Sequence, residues 1–143
     1  MSRRRTEDEI TVDLEALVAG TIALARVTVG VTAMCFPTAL ARPWVGEETA
    51  SDPNVRTLSR ALGARDLALG AGALRALALR GAGEPGAEAA YWVAAGGMCD
   101  AADAAVTVLG WRKLSRAGRW FVFAAASGAA VAGLAVGHRL KHS

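Results

Sequence analysis

The sequence predicts an all-α protein, a four-helix transmembrane bundle with short loops and one longer loop between its first and second helices. Three observations point there. Hydrophobic residues make up 53% of the 143 positions and 16 more are glycine, above the roughly 45–50% apolar share of soluble domains on nearly the same count. Four apolar stretches alternate with polar or glycine-rich turns, each long enough to be weighed as a membrane-crossing helix. Trp44, Trp92, Trp111 and Trp120 all stand near expected segment ends, where the amphipathic indole favours the membrane–water boundary. An alanine-rich soluble bundle is the competing architecture, and it supplies no reason for that placement. The length fits one domain, residues 1–143, with a single core.

The first segment covers residues 14–36, with Arg26 as its interior charge and Pro37 after its end. Residues 37–58 carry three prolines, Gly46, Glu47, Glu48 and Asp52, and read as an exposed connection with room for a short amphipathic helix. The second segment, 59–80, is the least apolar because Arg60, Arg65, Asp66 and Arg75 interrupt it, so it needs neighbours in order to insert. Gly81-Ala82-Gly83-Glu84-Pro85-Gly86 is a tight turn, glycine permitting unusual backbone angles and proline stopping helical bonding. The third segment spans 88–111. The fourth, 120–137, contains no charged residue and is the clearest span. Arg112, Lys113, Arg116 and Arg119 form a basic loop between these two, and His138, Arg139, Lys141 and His142 form a solvated tail.

Several function classes are excluded. A net charge of +3 without a concentrated basic face argues against a nucleic-acid partner. Cys35 and Cys99 have no Cys or His at ligand spacing and read as small core residues. His138 and His142 are one turn apart, yet a solvated tail is favoured over a metal site. Gly70-Ala-Gly72 lacks the strand-to-helix context of a dinucleotide loop. No cofactor and no metal is expected. The basic triplet Arg3 to Arg5 is followed by acidic residues rather than an apolar run, so no cleaved signal is expected. Gly133-Leu-Ala-Val-Gly137 is a G-x-x-x-G pattern that offers a candidate self-association face.

The candidate site is a polar network of Arg26, Arg60, Arg65, Asp66, Asp100 and Asp103. Charges are costly in hydrocarbon and must meet each other or water. With neighbouring segments antiparallel, Arg26 is level with Asp100, and Arg65 is level with Asp103. Asp100 and Asp103 share a helix face with Gly96 and Thr107. Asp66 falls in a stripe of small residues with Ser59, Gly63, Gly70 and Ala73, and Arg65 points about 100° away from it. Asp66 is thus the carboxylate expected to lack a partner. The surplus negative charge is to be met by Arg60, by a bound cation or by a protonated carboxyl group.

An ionic lock that selects helix partners is the reading favoured for this cluster. The chain is accordingly expected to be a structural or accessory membrane protein and not an enzyme. Two alternatives stand beside it: a small transporter-like or proton-handling subunit, and a membrane enzyme for a lipophilic metabolite in which Asp66, Asp100 or Asp103 is catalytic. Its partners would be the lipid bilayer and a homo-oligomer or second membrane protein. The location would be the cytoplasmic membrane, multi-pass; lysine and arginine on the two sides tie at six each, and both termini are placed in the cytoplasm because the first helix usually dominates and its leading triplet is basic.

Arg60-Ala-Leu-Gly63-Ala-Arg65-Asp66-Leu-Ala-Leu-Gly70 has the pattern R-x-x-G-x-R-D-x-x-L-G. With a later Asp in the third segment, it resembles a family of small four-helix actinobacterial membrane proteins of unknown function. The resemblance covers segments two to four. It implies Arg60, Gly63, Arg65, Asp66 and Gly70 as the signature and Asp100 or Asp103 as the downstream acid. Met98 and Cys99 stand where the family often has a proline.

Overall fold

The computed structural model describes residues 2–83 and 86–141, with side chains from Leu14 onward. Glu84 and Pro85 of the expected turn, and His142 of the tail, lie outside the described residues. Among the described residues six helices follow one another: α1 (Ser2–Cys35), α2 (Pro37–Val45), α3 (Glu47–Ala50), α4 (Pro53–Gly81), α5 (Ala87–Leu109) and α6 (Arg116–Leu140). No strand occurs among the described residues.

The expected long loop is therefore corrected to two short helices and the first turns of α4. Two of the three prolines that suggested a loop start helices instead: Pro37 and Pro53 occupy the first turns of α2 and α4, where a missing N–H removes no hydrogen bond, and Pro43 lies inside α2. Asp52 caps α4, its carboxylate accepting from Asn54 N at 2.7 Å. Gly46, at φ 88°, turns the chain between α2 and α3, a backbone angle that glycine adopts without a steric penalty.

Among the described residues, three helices have the length and composition to cross a membrane: residues Leu14–Cys35 of α1 at mean hydropathy 1.7, α5 at 1.2 and α6 at 1.8. The chain thus has the helices of a membrane protein. Though α4 is 29 residues long, its arginines keep it out of that group. Its most extensive contacts are with α1, those of α5 are with α6, and α4 joins the two pairs by packing on α5.

Small residues set these distances. A Cβ built on Gly63 would lie 2.7 Å from Ala33 Cβ, and one on Gly70 would lie 2.7 Å from the Ala23 carbonyl oxygen. The stripe read on residues 59–73 is consequently the face that α4 presses onto α1. On the other side, a Cβ at Gly97 would meet Leu134 N at 2.9 Å, and one at Gly137 would meet the Ala90 carbonyl oxygen at 3.1 Å. The G-x-x-x-G face is corrected accordingly: Gly133 and Gly137 are buried against α5 within the same chain. This close approach leaves α6 no second use for that stripe.

The core lies towards the α4–α5 turn and is built mainly of alanine, with Val93 and Leu140 among the larger members. Neither cysteine joins it. Cys35 is exposed at the end of α1 and Cys99 is half-buried, because the faces that meet are those carrying glycine and alanine. At the opposite end, Ser115 accepts from Gly118 N at 3.1 Å and donates to the Pro43 carbonyl at 3.0 Å, fastening α2 onto the start of α6. Trp111 packs edge-on to Trp120 with ring centres 4.7 Å apart. Trp92 also serves packing, since its ring covers Gly72, where a Cβ would lie 2.6 Å away.

Candidate functional site

Five of the six candidate side chains converge between α1, α4 and α5. Arg26 reaches from α1 to both other helices: Nη1 donates to Asp66 Oδ1 at 3.1 Å and Nη2 donates to Asp100 Oδ2. Arg65 forms a two-pronged pair with Asp103, Nη1 to Oδ1 at 3.1 Å and Nη2 to Oδ2 at 2.7 Å. The same Nη2 lies 3.3 Å from Asp66 Oδ1. Such planar fork contacts are the strongest class of charge-assisted hydrogen bond.

The geometry follows from local structure. Arg26 is 11% exposed and Asp100 13%, because Gly96, one turn before Asp100, makes room for the guanidinium; a Cβ there would lie 2.7 Å from Arg26 Nε. Thr107 is fully buried and donates to the Asp103 carbonyl at 2.7 Å, which satisfies a hydroxyl on the face that carries both aspartates. Arg65 and Asp103 are more open, at 29% and 31%.

Two expectations are corrected. Asp66 does have partners: it accepts from Arg26 and approaches Arg65. Residue levels could not reveal this, because Arg26 spans the gap between two helices with its two terminal nitrogens, and Arg65, although it leaves the helix in another direction, is long enough to turn back. Arg60 is not part of the cluster. Its Nε donates to the Met34 carbonyl at 3.2 Å, near the end of α1, where unpaired helix carbonyls favour a cation.

The cluster forms the floor of a cavity of about 360 Å³. Arg65, Asp66, Asp100 and Asp103 line it, beneath apolar walls from α1, α2, α4 and α6 that include Leu40, Trp44, Leu62 and Phe121. A second cavity, about 230 Å³, reaches Asp66 and Asp100 past Ile22, Ala25 and Arg26. The sequence carried no sign of the part played by α2 and α6 in these walls, since apolar residues on a span look alike whether they face lipid or a void.

The chemistry open to the cluster is limited by its pairing. Asp103 has both oxygens on Arg65, which removes it as a free acid or base. Asp66 and Asp100 each use one oxygen; among the described residues no donor reaches Asp66 Oδ2 or Asp100 Oδ1. Among the described residues, no three acidic, His or Cys side chains converge as a metal site.

Comparison with known protein families, with curated proteins and with solved structures finds no match.

Proposed function

We propose that the protein is an integral four-helix membrane bundle, made of α1, α4, α5 and α6, with a structural or accessory role in which the Arg/Asp cluster selects helix partners. One observation carries the reading: a single arginine, Arg26, ties α4 and α5 to α1. The least apolar helix, α4, contributes Arg65 and Asp66 to the cluster, and both are paired within the chain. Pairing of this kind removes much of the penalty that would keep α4 out of hydrocarbon. A double-mutant cycle on Arg65 and Asp103 tests it: Arg65→Gln and Asp103→Asn should couple by about 1–3 kcal/mol in detergent unfolding. Additive losses would remove the lock.

The basic triplet Arg3 to Arg5 supports a cytoplasmic-membrane location with both termini inside. The R-x-x-G-x-R-D-x-x-L-G segment supports placing the chain with the small actinobacterial four-helix family. Its spacing has a physical basis, since Gly63 and Gly70 lie where α4 meets α1 while Arg65 and Asp66 enter the cluster.

A further inference from the structure

Two guanidinium groups serve three carboxylates in the cluster, so one negative charge is left over. Arg60 does not meet it, being on the Met34 carbonyl. What remains is a bound cation or a proton. The shape around the surplus charge distinguishes them. Asp66 and Asp100 both border the larger cavity, each with an oxygen that receives no N–H from the described residues. Arg26 contacts both carboxylates at once, which holds them as neighbours on two helices. Of the two arginines, only Arg65 borders that cavity, while Arg26 contacts Asp66 and Asp100 from outside its lining. Above this floor the walls are apolar, and the volume falls in the range of small-molecule pockets, roughly 300–1,000 Å³, which characteristically combine apolar walls with a few polar groups.

We propose that this cavity binds a lipophilic primary ammonium ion, its head donating to Asp66 and Asp100 and its hydrocarbon chain lying among Leu40, Leu62 and Phe121. The ammonium group has three donors and no acceptor, which suits a floor with spare carboxylate oxygens. A neutral alkyl chain gains the walls but leaves the charge unmatched, and a carboxylate tail adds repulsion. The inference rests on the membrane-bundle reading, yet the two are separable: the lock is read from stability, the cavity from binding.

Calorimetric titration of the full chain in phosphatidylcholine nanodiscs tests the proposal at neutral pH, with octylammonium, octanol and octanoate each referenced to empty nanodiscs. Octylammonium should bind saturably and at least about tenfold more tightly than octanol, as one charge-assisted hydrogen bond implies. Asp100→Asn should abolish the preference by removing charge. Ala126→Phe should abolish binding by filling the cavity from α6, while leaving every charged group in place. Octanol or octanoate matching octylammonium, or octylammonium binding that survives Ala126→Phe, overturns the proposal. Absence of saturable octylammonium binding to the wild-type chain overturns it as well.

Discussion

The guanidinium of Arg26 rests on Gly96 of α5, where a Cβ would come within 2.7 Å of Nε and 2.9 Å of Cζ. The contact explains how an arginine on α1 reaches an aspartate on α5 although these helices otherwise touch little. It also ties packing to electrostatics, because the glycine that lets the helices approach is the one that seats the charge.

Gly96→Ala should therefore act as a charge mutation without changing any charge. The added methyl displaces the guanidinium from Asp66 and Asp100, with an overpacking cost of about 1–3 kcal/mol. Thermal unfolding in detergent checks this. A Gly96→Ala chain as stable as wild type would show that Arg26 can move aside without losing its partners.

Arg26→Lys separates charge from shape. A lysine retains the positive charge, but its ammonium is a compact point and lacks the planar fork that reaches two carboxylates on two helices. Losing one charge-assisted bond should cost about 1.5–3 kcal/mol. Arg26→Gln should cost more, about 3–5 kcal/mol, since it leaves buried carboxylates uncompensated. Equal stability losses from the two changes would mean that charge contributes nothing beyond the hydrogen bonds.

At the other end of the bundle, Gly118 admits no side chain: a Cβ would fall 1.7 Å from the Pro43 carbonyl oxygen. Gly118→Ala should push α2 off α6 and break the Ser115 hydrogen bonds, at the upper end of the about 1–3 kcal/mol overpacking range. Limited trypsin digestion is the direct measurement, with faster cleavage expected at Arg56, since Arg42 precedes Pro43 and resists trypsin. An unchanged digestion pattern would show that the α2 anchor is held elsewhere.

Orientation is open to a test that uses a native cysteine. Cys35 is exposed at the end of α1 remote from the chain's N-terminus, whereas Cys99 is half-buried within α5. With both termini cytoplasmic, a membrane-impermeant maleimide should label Cys35 in intact cells, and Cys35→Ser should abolish the signal. Labelling that appears only after the membrane is opened reverses the orientation.

The ends of α1, α4 and α5 were legible because they rest on local chemistry: Pro37, the Gly81 to Gly86 run and the basic loop around Arg112 interrupt apolar stretches wherever the chain folds; the starts of α1 and α4, expected at residues 14 and 59, lie instead at Ser2 and Pro53. The levels of Arg26 with Asp100 and of Arg65 with Asp103 were legible for a similar reason, since helical rise and antiparallel order convert sequence position into depth. Residues 37–58 were misread as a loop because proline marks the first turn of a helix as readily as the end of one, and only the capping contact of Asp52 separates the two.

Depth is one coordinate; the rotation of each helix about its axis and its distance from its neighbours are two more, and these come only from packing. They decide that the small-residue stripe of α4 lies on α1, that Gly133 and Gly137 face α5, and that Arg26 lies between Asp66 and Asp100 while Arg60 is drawn to the end of α1. The sequence thus determined which charges lie at the same depth in the bundle. Tertiary structure decided which of them touch and that a cavity opens beside them, because contact depends on helix faces brought together by residues far apart in the chain.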